Sequence, residues 1–79
     1  MKLIRWSYSR RNMVRAYFDT HPNSVFYFRR MKRCFLLYSL DWREEDPFVD
    51  TASREEMQLL LNKAMGRKTA YQNRKHHTG

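Results

Sequence analysis

The run Arg29-Arg30-Met31-Lys32-Arg33 is the stretch best equipped for chemistry, and the chemistry it suits is phosphate binding. Guanidinium groups make bidentate contacts with phosphate oxygens and stack on exposed bases, so such a cluster points to RNA. Arg10, Arg11, Arg15, Arg67, Lys68, Arg74 and Lys75 extend the excess and complete, with Arg29, Arg30 and Arg33, the expected RNA-binding set. The plainer alternative for the cluster is a solvated helix face.

Trp6, Tyr8, Tyr17, Phe26, Tyr27, Tyr38 and Trp42 interleave with these cations. Aromatic and Arg side chains serve protein–protein hot spots as well as base stacking, so residue type alone does not separate the two. Trp6 and Tyr8 fall outside any periodic stripe, and Leu36, Leu37 and Leu40 point away from one. With Trp42 they form the expected protein interface.

Other chemistries find no support. Glu44-Glu45-Asp46 with Asp50 lacks the Gly and the alternation of a calcium loop, so an acidic loop facing solvent or a basic neighbour is expected. Cys34, His21, His76 and His77 lack paired zinc-ligand spacing, and the single Cys34 excludes an internal disulfide. Gly66 and Gly79 are the only glycines, which excludes a Gly-rich phosphate loop. No catalytic residue, metal or cofactor is expected.

The charge is sorted by position. Residues 1–40 hold nine Lys or Arg against one acid, residues 41–66 three against seven, and residues 67–79 four against none, for a net charge of +8. Basic ends favour phosphate backbones or anionic lipid, because neutralised phosphates release counterions. The chain's 79 residues allow one small domain with a modest core, and 42% apolar content argues against a purely polar disordered tail. The longest uninterrupted apolar run, 34–38, is far too short to span a bilayer.

For positioning elements, Met13 with Tyr17 and Val14 with Phe18 stand at i,i+4 spacing and predict a helix over about 9–18. Ser24, Phe28, Met31, Phe35, Tyr38 and Trp42 step by four and three, predicting a helix over about 24–40. A strand at Val25-Phe26-Tyr27-Phe28 is the rival, set aside because it leaves Arg29–Arg33 without a periodic role. Ser53 and Glu56 form a capping box opening a third helix over about 54–65, which Gly66 closes.

The expected fold is therefore all-α: one domain over 1–79 with three short helices, a basic and aromatic arm at 1–8, an acidic connector at 41–52 and a basic tail at 67–79. The expected function is a non-enzymatic structural subunit of a large ribonucleoprotein, foremost a mitochondrial ribosome, touching rRNA through its basic ends and neighbouring proteins through its acidic and apolar surfaces. The first 18 residues carry five Lys or Arg and no acid, a composition shared by an uncleaved signal for the mitochondrial matrix, the localisation expected here, and by an ordinary basic RNA-binding arm. The alternative is an accessory subunit on the soluble face of a respiratory-chain or ATP-synthase complex, its arms on protein and anionic lipid.

Overall fold

A computed structural model describes residues 1–74, so of the expected tail at 67–79 only residues 75–79, Lys75 among them, lie outside the described residues. The chain forms an antiparallel meander of β1 (Leu3–Arg10), β2 (Met13–Phe18), β3 (Val25–Met31) and β4 (Cys34–Asp41) in the order β1-β2-β3-β4. Two helices follow, α1 (Thr51–Ala64) and α2 (Lys68–Asn73).

The all-α expectation is thus overturned. The spans expected as helices at 9–18 and 24–40 are strands, and only the third expected helix has a counterpart, in α1. The cause is arithmetical: a spacing of four is even, so pairs at i,i+4 satisfy the period of a strand as well as that of a helix. Val14 and Phe18 share the inner face of β2 with Ala16, while Met13 and Tyr17 share its outer face. Phe28 and Phe35, expected on one helical stripe, lie on adjacent strands of a hairpin, where Phe28 pairs with Leu37 and Arg30 with Phe35. The cationic run that had no place in a short strand forms the end of β3 and the hairpin tip.

The core is the inner face of the sheet closed by α1. Val14, Ala16, Phe18, Phe26, Phe28, Phe35 and Leu37 meet Met57 and Leu61, which stand one helical turn apart. Phe18 packs edge-on against Phe26 at 5.6 Å between ring centroids. Asp50, rather than Ser53, caps α1 by accepting from the Ser53 N–H at 2.7 Å. At the far end Gly66 takes φ +75°, its N–H donates to Lys63 O and the Arg67 N–H donates to Asn62 O, turning the chain into α2.

An open sheet has two unpaired edges, and α1 covers one of them. Asn62 donates Nδ2–H to Phe35 O at 2.8 Å while its Oδ1 accepts from the Phe35 N–H at 2.8 Å. Gln58 Oε1 accepts from the Leu37 N–H at 2.9 Å, and Arg54 Nη2 donates to Leu37 O at 3.2 Å. Residues four apart on a helix are about 6 Å apart along its axis, and residues two apart on a strand about 6.6 Å. Gln58 and Asn62 therefore match the outward backbone groups of Leu37 and Phe35, Arg54 takes the remaining Leu37 carbonyl, and the three side chains stand in for a fifth strand at these two residues. Tyr71 of α2 steadies it, its hydroxyl accepting from Gln58 Nε2 at 3.1 Å.

The connector is tied down by Asp46, whose carboxylate accepts from the Asn23 N–H at 3.0 Å, from Asn23 Nδ2 at 3.1 Å and from the Ser24 hydroxyl. Burial pushes the Asp46 pKa up, but these Ser24 and Asn23 hydrogen bonds outweigh it, aided by His21, and hold it below the usual carboxylate value.

Asn62→Leu keeps the volume but leaves two buried backbone groups without partners, at about 1–3 kcal/mol each. It is expected to lower stability by about 2–6 kcal/mol in urea unfolding, and a loss below about 0.5 kcal/mol would contradict the edge ladder. The folded-state pKa of Asp46 lies below that of the unfolded chain. Its stabilisation is complete above the unfolded value of about 3.9 and is lost as pH falls through the folded value. Asp46→Asn is therefore expected to be less stable at neutral pH and to lose less on acidification; parallel stability–pH curves would contradict this.

Candidate nucleic-acid interface

Because the four strands alternate in direction, the turns after β1 and β3 lie at the same end of the sheet, where the Arg30 N–H donates to Asn12 O at 2.8 Å. This gathers Arg10, Arg11, Arg29, Arg30, Lys32 and Arg33 at one end. Arg67 joins them from the turn that leads into α2, its Nη1 donating to Arg33 O at 2.9 Å and its guanidinium lying 5.6 Å from the Phe35 ring centroid. Asp19 and Asp46 lie at the opposite end, where Asp19 accepts from the Lys2 N–H at 2.7 Å and Asp46 binds the β2–β3 loop. Charge that the sequence distributes in three blocks becomes a two-ended polarity along the strands.

The face of the sheet away from the helices is uncovered. Ser7, Arg15, Tyr27 and Ser39 are successive register partners across all four strands, flanked on one side by Arg5 with Tyr17 and on the other by Arg29 with Leu36. The Arg5 guanidinium sits 4.1 Å over the Tyr17 ring, and that of Arg29 lies 5.6 Å from the Tyr38 ring. Tyr38 is 60% exposed, while Tyr17 and Tyr27 are half-buried. Among the described strand residues of this face the one acid is Asp41, at the far end and 3.4 Å from Arg43. Such a surface offers charge for phosphates and flat rings for bases.

Of the expected RNA-binding set, Arg10, Arg11, Arg29, Arg30, Arg33 and Arg67 come together at the hairpin end, and Arg15 stands in the middle of the open face. Lys68 is exposed at the start of α2, Arg74 lies 4.3 Å over the Tyr71 ring, and Lys75 is outside the described residues. Sequence reasoning left out Arg5, Tyr17, Tyr27 and Tyr38 as members of one surface. Period-two alternation was the signal that would have grouped the first three.

The expected protein interface is dispersed. Trp6 packs against the core, and the Tyr8 ring stands 5.9 Å from Trp6 and 6.4 Å from Phe35 on the helix side of the sheet. Leu37 is 7% exposed, taken up by the core because it alternates with Leu36, which lies half-buried on the open face. Leu40 and Trp42 are exposed near Phe48, whose ring lies 5.7 Å from that of Trp42.

Burial pushes the Cys34 thiol up in pKa, against the opposing pull of Arg74 and Arg67, which makes it a poor nucleophile at neutral pH. Among the described residues no group of three metal-binding side chains converges, and no helix is long and apolar enough to cross a membrane.

A family described as uncharacterised protein YuzH matches residues 2–76, and the chain belongs to that family. No curated protein and no solved structure matches it. The family description bears on neither a ribosomal nor a respiratory-complex role, and the sheet overturns only the α-helical part of that expectation.

Lys32, at the cationic tip, has φ 61°, a left-handed conformation that glycine adopts with less strain. A charged side chain here is held against a backbone cost, a pattern found where the side chain has work to do. Lys32→Gly is expected to stabilise the protein by about 0.5–1 kcal/mol, raising the thermal midpoint by roughly 2–8 °C. An unchanged or lower midpoint in calorimetry would show that the tip stores no strain.

Proposed function

We propose that this member of the YuzH family is a non-enzymatic RNA-binding module that lays an unpaired strand across the open face of its sheet. One observation carries the reading: the row Ser7–Arg15–Tyr27–Ser39, with the Arg5–Tyr17 and Arg29–Tyr38 pairs beside it, forms a cationic and aromatic surface that neither helix covers. Phosphates meet Arg15, Arg29 and the hairpin-end cations, while bases stack on tyrosine rings. A duplex hides the faces of its bases, so the rings favour single strands. Asp19 and Asp46 at the other end orient the strand toward the hairpins by repulsion.

Fluorescence anisotropy with a single-stranded RNA decamer tests this, with duplex RNA and phosphatidylserine vesicles as competitors. Single-stranded RNA is expected to bind tightest, with log affinity falling by about 0.7 per log unit of salt for each phosphate engaged. Arg15→Gln is expected to reduce that slope by about 0.7, whereas Tyr27→Ala weakens binding about tenfold or more at an unchanged slope. Binding that is independent of salt would overturn the reading, as would a preference for vesicles or duplex.

A further inference from the structure

Beside the outer strand, between β4 and α1, lies a cleft of about 530 Å³ whose lining includes Arg29, Arg54 and Arg74 together with Tyr38 and Leu36. A volume of that order suits a ligand the size of a nucleotide. Arg29 and Tyr38 belong also to the open face, so the cleft is where that face meets the helical layer. We propose that it binds a phosphate monoester on a nucleoside, either free or at the end of the strand whose body lies on the sheet; the strand-end form rests on the RNA reading above.

Charge is the first argument. The three arginines and Glu55, the acid in the lining, give the cleft a net +2. A phosphate monoester carries about −1.5 to −2 at neutral pH and three terminal oxygens, whereas an internal phosphodiester carries a single charge. The cleft therefore matches a terminal phosphate better than one in mid-strand.

The second argument is the state of the guanidinium groups. Arg54 is held at the strand edge by its Nη2 bond to Leu37 O at 3.2 Å, which engages one of its five N–H donors. Arg74 is held 4.3 Å over the Tyr71 ring, and its Nε is buried without a hydrogen-bond acceptor. Arg29 is held against Tyr38 at 5.6 Å. Each of the three is positioned before any ligand arrives, which lowers the ordering cost of binding. Tyr38, 60% exposed, offers a ring for the base, and Leu36 an apolar wall.

The test uses the full chain and seven probes: single-stranded RNA decamers with a 5′-phosphate, a 3′-phosphate or neither, and UMP and AMP against uridine and adenosine. A terminal phosphate is expected to tighten decamer binding about tenfold, and Arg74→Gln to remove that gain while leaving the unphosphorylated decamer unaffected. Arg74→Lys, which keeps the charge and loses the planar fork, is expected to retain part of the gain and serves in place of the Gln variant should that variant melt early. If the decamers fail to bind but a nucleoside monophosphate binds, its nucleoside does not, and Arg74→Gln abolishes the binding, the cleft proposal stands with a free nucleotide and the RNA reading falls. Equal affinity for all decamers with no nucleotide binding overturns the cleft and spares the RNA reading. Binding of nothing overturns both, and a variant that weakens all decamers alike overturns the cleft.

Discussion

The fold depends on an edge strand whose outward backbone groups are met by side chains of a helix. Phe35 and Leu37 present N–H and C=O groups that another strand would ordinarily pair, and Asn62, Gln58 and Arg54 take that strand's place. In a domain with a core this small, exposed pairing groups at both edges would invite association with other chains. The ladder closes one edge. It also fixes where α1 lies, because Met57 and Leu61 reach the core only while the neighbouring residues Gln58 and Asn62 reach the strand. At the other edge, β1 is broken by register shifts near Leu3 and Tyr8, which make a poorer template for a further strand.

With both helices committed to the inner face and to β4, the outer face has no covering element. That vacancy would be a liability if the face were apolar. Its half-buried Met13, Tyr17, Tyr27 and Leu36 are instead interspersed with Arg5, Arg15 and Arg29, whose stems shield apolar surface while their charged heads stay in water. The same meander that leaves the face open sends both hairpin tips to one end and delivers Arg67 beside Arg33 from 34 residues away. Surface charge, stacking rings and the candidate phosphate cleft are therefore consequences of a single packing arrangement.

Composition made the cations and their preference for phosphates legible, but not their arrangement. Helix α1 could be read because Met57–Leu60 and Leu61–Ala64 add steps of three that a strand does not share and Gly66 marks its end, though Asp50 rather than Ser53 caps it. The sheet could not, since Met13–Tyr17 and Val14–Phe18 fit either period and the β3–β4 turn at Lys32-Arg33 carries no Gly, Pro or Asn to announce it. Tyr38 was further obscured by the register shift next to Phe28, which moves β4 out of simple alternation. The edge ladder was invisible because Gln58 and Asn62 on a helix read as solvent-facing, and only the neighbouring strand gives them partners.

The central claim is that the uncovered sheet face is where RNA lies. Titrating the ¹⁵N-labelled chain with a single-stranded RNA decamer and following amide chemical shifts tests it residue by residue. The account predicts the largest shifts at Arg15, Tyr17, Tyr27 and Arg29 and at the two hairpin tips, with Met57, Leu61 and the Trp42–Phe48 patch unmoved. Shifts confined to the Trp42–Phe48 patch or to the helical side, with the open face silent, would contradict it.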